Sequence, residues 1–176
     1  VAKEPTTDIV KQGTQLARDT GASLVIGMGG GSVIDTAKAI AALLTNGGEP
    51  LDYLEIIGRG QAIKLPSAPW IAVPTTAGTG AEVTYNAVLA SPEHHVKVSL
   101  RSPWMLPQVA IVDPELTLSV PPAITASTGL DAFTQVIEPL VSHLSNPMTD
   151  GVCREAIPRA AGSLLQAFRH GDDLAA

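Results

Sequence analysis

Aromatic side chains are scarce: two Phe, two Tyr and two Trp make up 3% of the 176 residues. The core must therefore be aliphatic and rich in alanine. Cysteine is nearly absent. Cys153 alone excludes an internal disulfide, and with four histidines in the chain a mixed Cys/His structural zinc site is remote. Charge is also low, at 16% of residues, and 11 basic against 17 acidic side chains give a net charge of −6. That balance supplies no field to attract nucleic acid or an anionic membrane. No apolar run approaches the ~18 residues of a membrane span, because Gly, Pro or a charge interrupts each one. No basic segment followed by an apolar stretch marks an export signal. A cytoplasmic protein without nucleic-acid or membrane partners is expected.

Hydrophobic residues reach 45%, too many for a disordered chain of such low charge. The 16 glycines and 14 prolines exceed the usual ~12% and cluster at the ends of apolar runs. The length is room for one medium domain or two small ones. The chain starts at Val1 rather than Met and ends on Leu174-Ala175-Ala176, which reads as a piece of something longer.

Pro5, Thr6, Thr7 and Asp8 open a helix with Ile9, Val10, Leu16 and Ala17 on one face, and Gly21 is placed to end it. Leu24 to Met28 is a short apolar run, as expected of a strand buried on both faces. Gly29, Gly30 and Gly31 follow at once, and Ser32 starts a second helix running to about Leu44. Ser32 and Asp35 have the spacing of a capping box, with Asp in place of Glu or Gln. A strand from Trp70 to Val73 leads into a loop of small and hydroxyl residues, 74–80. Glu82 to Leu89 and Val96 to Leu100 read as a β-hairpin, and Val109 to Val112 as a further buried strand. After Pro121 and Pro122 the pattern is helical. The expected architecture is α/β: an incomplete Rossmann-like parallel sheet with a β-hairpin over residues 1–120, then the start of an all-α domain over 121–176.

The strongest chemical signal is the strand, glycine turn and helix at Gly29 to Ser32. Glycines let a backbone approach a ligand closely, and a helix start offers free N–H groups and the positive end of the dipole. Together these make a phosphate cradle. The alternative is a tight turn without a ligand. The turn is not a P-loop, since no Lys precedes Ser32, and its spacing is not that of G-x-G-x-x-G. Thr75, Thr76 and Thr79 follow a buried strand, where open α/β sheets bind ligands, and their hydroxyls suit a ribose or phosphate. Asp131 and Gln135 lie four apart near a helix start, hence on one face, with Glu138 a turn further. Cys153 has a small apolar neighbourhood and reads as a buried thiol.

Residues 29–38 (GGGSVIDTAK), 74–84 (PTTAGTGAEVT), 110–114 (AIVDP) and 128–138 (TGLDAFTQVIE) together resemble the iron-containing (group III) alcohol dehydrogenase family. The resemblance covers essentially the whole chain. It implies an NAD- or NADP-dependent oxidoreductase that interconverts an alcohol and an aldehyde or ketone, with an α/β nucleotide domain and a helical metal domain. A sheet that lacks its opening strands leaves a parallel strand unpaired, so a homo-oligomer is expected. It also implies that Gly29, Gly30, Gly31, Ser32 and Asp35 contact the cofactor, with Thr75, Thr76, Thr79 and Lys97 along the rest of the nucleotide. Asp131 matches the first ligand of the family's Fe²⁺ or Zn²⁺. The second ligand is a His four residues later, and Gln135 stands there; an amide oxygen binds such ions far less well than imidazole. The alternatives are a metal-independent enzyme resembling maleylacetate reductase, a lyase resembling dehydroquinate synthase, and a truncated form that binds nucleotide without turnover.

Overall fold

Helix α1, Thr7–Asp19, starts where Thr6 adopts an extended conformation and its hydroxyl accepts the amide of Ile9. It ends before Gly21, whose φ of 64° suits the left-handed turn there. A computed structural model describes residues 4–175. Strand β1, Val25–Gly29, runs parallel to β2, Trp70–Pro74, with Val25 opposite Trp70 and Gly29 opposite Pro74. A short strand β5, Val109–Ala110, adds in parallel on the far side of β2, giving the order β1-β2-β5. Between β1 and β2 the chain forms α2, Gly31–Asn46, and a single turn α3, Pro50–Tyr53. Strands β3, Asn86–Ser91, and β4, Val96–Arg101, form a separate antiparallel hairpin.

The chain divides into two compact units. The first runs to Pro74 and resumes over Ala81–Val112; the second takes Thr75–Gly80 and the residues from Asp113 on. In the first, α2 is the central element. One side packs on the sheet through Ile34, Ala37 and Ala41 against Trp70 and Ala72. The other, through Ala39, Ala42 and Leu43, meets Val10 of α1 and Leu89 and Leu100 of the hairpin. Burial of each Val, Leu or Ile side chain here is worth roughly 1.5–3 kcal/mol, and of each alanine methyl less than about 1 kcal/mol. The many alanines let the elements approach closely: a Cβ built on Gly27 of β1 would lie 2.7 Å from Ala37 Cβ. In the second unit α4, Pro122–Val141, packs on α5, Pro147–Arg169, which Asn146 caps by accepting the amides of Met148 and Thr149. Among the described residues of these two helices only Cys153 is buried, in agreement with its reading as a buried thiol. An apolar groove of about 400 Å³ lies between them, lined by Leu130, Phe133, Leu164 and Phe168 among others.

Four local expectations need correction. Strand β1 is not covered on both faces: α2 packs on the face of Gly27, while Ile26 and Met28 on the other face are 60% and 57% exposed. The strand expected over Val109 to Val112 is shorter, in register with β2 at Val109 and Ala110 with one further bond from the Ile111 amide to Ala72 O, and Val109, Ile111 and Val112 lie exposed. The first hairpin strand starts at Asn86 rather than Glu82, after a 3₁₀ turn at Ala81–Val83, because oxygens of Ala81, Thr84 and Asn86 all turn toward Lys38. Finally, Ser32 caps nothing. Helix α2 begins at Gly31 with Gly30 as its cap, and the Asp35 carboxylate is engaged elsewhere.

Candidate functional site

Gly29 ends β1 at the level where Pro74 ends β2, since the two are register partners. A Cβ on Gly29 would lie 2.6–2.7 Å from the branched carbons of Val33, so the glycine permits strand and helix to meet. Gly30 then caps α2 without any side-chain hydrogen bond. Val33 and Ile34 donate their amides to Gly30 O at 2.9 and 3.1 Å. The amides of Gly31 and Ser32 remain as the opening donors of a 16-residue helix with no acidic residue in its first turn. A negatively charged group is what this end of the helix lacks. Such an opening can accept a phosphate group.

Asp35, expected at the cofactor, is engaged within the protein. Its Oδ2 accepts the amide of Val88 at 3.0 Å and its Oδ1 lies 3.3 Å from Lys38 Nζ. Lys38 is the functional-motif residue to which sequence reasoning assigned no role. Its side chain is fully buried, and Nζ donates to Ala81 O and Asn86 O at 2.7 Å and to Thr84 Oγ1 at 3.0 Å, with the Trp70 ring 6.0 Å away. Three ammonium protons serve four oxygens, so the Asp35 contact, the longest, is shared. Burial pushes the Asp35 carboxyl up from its ordinary value, against the pull of Lys38 and the Val88 amide. Burial likewise pushes the Lys38 ammonium down, against Asp35. A signal existed: Ile34, Ala37, Lys38 and Ala41 fall on one helical stripe, so Lys38 is a lone charge on the apolar face.

Lys97 lies exposed on β4, and its ammonium pairs with Glu4 at 2.8 Å. Thr75, Thr76 and Thr79 are partly buried in the 75–80 loop, which belongs to the same compact unit as α4. There the loop meets α4 closely, and a Cβ on Gly78 would fall 2.1 Å from Thr128 O. Asp131 and Gln135 do share one face of α4. Gln135 Nε2 donates to Asp131 Oδ2 at 2.9 Å, to Gly78 O at 3.1 Å and to Thr79 O at 3.4 Å. A divalent cation needs the oxygen of a carboxamide, and here the nitrogen faces the carboxylate. As arranged, the pair does not fit Fe²⁺ or Zn²⁺. Among the described residues no group of three or more His, Cys, Asp or Glu could hold such an ion.

The model of the family described as iron-containing alcohol dehydrogenase matches residues 1–114, and that of its C-terminal part matches 125–176. The chain is 41% identical over 173 residues to long-chain-alcohol dehydrogenase 1 of Geobacillus thermodenitrificans, covering 98% of this chain and 43% of that protein. It is 40% identical to 4-hydroxybutyrate dehydrogenase of Cupriavidus necator, over 96% of this chain and 44% of that one. Among solved structures it resembles sulfoacetaldehyde reductase from Bifidobacterium kashiwanohense in complex with NAD⁺, with a TM-score of 0.92 and 37% identity. That match covers 98% of this chain and 45% of the reductase. The chain thus spans less than half the length of these relatives.

Proposed function

The chain belongs to the iron-containing alcohol dehydrogenase family, and from that premise we propose that it is the central part of an NAD(P)-dependent oxidoreductase interconverting an alcohol and an aldehyde or ketone. The observation that carries this reading is the end of β1: a cap without a side chain, on a helix whose first amides need an anion. Gly29, Gly30, Gly31 and Ser32 form the cradle for the pyrophosphate, and the dipole of α2 adds to it. Bound there, the nicotinamide supplies or accepts the hydride. Thr75, Thr76 and Thr79 offer hydroxyls and backbone groups to the rest of the nucleotide. Lys97 joins the set by exchanging Glu4 for a nucleotide oxygen. Asp35 serves from a distance, holding α2 against the hairpin through Val88.

In this reading residues up to about 120 form part of the nucleotide domain and those from 121 on part of the helical domain. The enzyme works in the cytoplasm on a small alcohol or carbonyl substrate, without nucleic-acid or membrane partners, in keeping with its net charge of −6. No helix of the described chain is long and apolar enough to cross a membrane. The backbone edge that β1 presents in the order β1-β2-β5 supports association with further copies.

The test is turnover by the whole protein, followed by nicotinamide absorbance with NAD⁺ or NADP⁺ and simple alcohols, and in reverse with aldehydes and ketones. Saturable turnover with one nucleotide is expected. Nucleotide binding without turnover in either direction would leave only a binding role, and no binding at all would sink the reading.

A further inference from the structure

Gln135 is where this chain departs from the family pattern it otherwise follows, and its surroundings fix the direction of its amide. Of the three atoms around its outer nitrogen, Gly78 O and Thr79 O are main-chain carbonyls and Asp131 Oδ2 belongs to a carboxylate. All three can only accept. Turned by 180°, the amide would set its oxygen against three oxygens with no proton between them. The hydrogen-bond network therefore assigns nitrogen to this position, as such networks must.

A divalent cation would make the opposite demand. It would draw the amide oxygen and the Asp131 carboxylate toward one point, and every hydrogen bond of the Gln135 nitrogen would be lost. Both an NH₂ group and a cation bring positive charge to oxygens. The NH₂ group needs only acceptors within about 3 Å, whereas the cation needs a full shell that imidazole usually helps to supply. We propose that the Gln135 carboxamide stands in for a divalent cation in this protein: its nitrogen joins the Asp131 carboxylate to the Gly78 and Thr79 carbonyls, latches the 75–80 loop to α4, and leaves Asp131 and Gln135 unable to bind a divalent metal. The close approach of Gly78 to Thr128 O is a second point at which loop and helix meet. The inference goes beyond the proposed activity and does not rest on it, since it is drawn from loop and helix alone.

Two measurements on the 176-residue chain test it, and neither uses nucleotide or substrate. The first is hydrogen–deuterium exchange of residues 75–80, with exchange in α5 as the internal reference for folding. Gln135→Leu should speed exchange in the loop several-fold, a moderate effect because the bonds are exposed and water competes for them. Asp131→Asn keeps an oxygen acceptor opposite the amide and should leave loop exchange close to that of the unmodified chain. The second is a titration with Co²⁺, read by its visible absorption, in which the unmodified chain should give no ligand-field bands. Unchanged loop exchange in Gln135→Leu would overturn the latch. One Co²⁺ bound per chain, lost on Asp131→Asn, would overturn the replacement of the metal.

Discussion

Lys38 and Asp35, one turn apart on α2, hold the same hairpin by its opposite kinds of group: Lys38 Nζ donates to Asn86 O at 2.7 Å, and Asp35 Oδ2 accepts the amide of Val88 at 3.0 Å. The helix that opens with the glycine cradle is thus fixed, four and seven residues further on, to the strand that follows the 3₁₀ turn. A buried charge pair of this kind is costly to form and costlier to break.

Lys38→Met should destabilise the chain by about 3–5 kcal/mol, because it removes the cation beside the buried Asp35 carboxylate and the donor shared by Ala81 O, Thr84 Oγ1 and Asn86 O. The denaturant midpoint measures this. Adding Asp35→Asn should recover part of the loss, since an amide oxygen can still accept Val88 N and no buried charge remains. A double variant less stable than Lys38→Met would contradict the account.

Gly30→Val tests the cradle without straining the backbone. Gly30 has φ −72° and ψ −178°, values open to any residue, so the fold should persist. A branched side chain at the helix cap would occupy space that the anion needs. Affinity for a nicotinamide dinucleotide should fall at least about 100-fold, which corresponds to ~3 kcal/mol. Equal affinity in calorimetry, with the circular dichroism unchanged, would remove the phosphate assignment.

Gly78→Ala concerns the second compact unit. Its Cβ would meet the backbone of Thr128 at 2.1 Å, and a main-chain oxygen inside α4 gives way less easily than a side-chain tip. A loss of about 1–3 kcal/mol is expected, as for other overpacked sites. Thermal melting followed at α4 reads it directly, and an unchanged midpoint would show that the loop moves away freely.

Asp52 carries the pH dependence that can be stated most simply. Its carboxylate accepts the Glu49 amide at 2.8 Å and pairs with Arg59 Nη1 at 2.6 Å. The Glu49 hydrogen bond first, and Arg59 with it, holds the carboxyl below the usual aspartate value despite some desolvation. A carboxyl with a lowered folded pKa stabilises above its unfolded value, near pH 4, and loses that contribution as pH falls through the folded one. Asp52→Asn should therefore cost about 1 kcal/mol at pH 7, the usual worth of such a cap. The difference in melting temperature should shrink steadily below pH 4. A gap that stays constant to pH 2 would assign the effect to packing instead.

The sequence by itself determined the order of elements, the alanine-rich core and the glycine turn, because each is a local matter. Periodicity, turn residues and apolar runs act within one helix or strand, and the family motifs are contiguous. What the sequence left undecided depended on which surfaces meet. Ile26 and Met28 belong to an apolar run whether one face of the sheet or both are covered; in the described chain α2 packs on the face of Gly27, and the opposite face leaves them exposed. Ser32 and Asp35 have capping spacing in any helix, but the hairpin supplied Val88 N as a stronger claim on the carboxylate, and the helix began a residue earlier. Lys38 became a buried hub only because oxygens from residues 81, 84 and 86, more than forty positions away, converge on it. Gln135 was legible as a departure from a ligand position, yet the direction of its amide was set by carbonyls 56 and 57 residues distant in the chain. Spacing along a helix fixes which side chains share a face; the oxygens brought to that face by the rest of the fold decide whether an amide there offers its nitrogen or its oxygen.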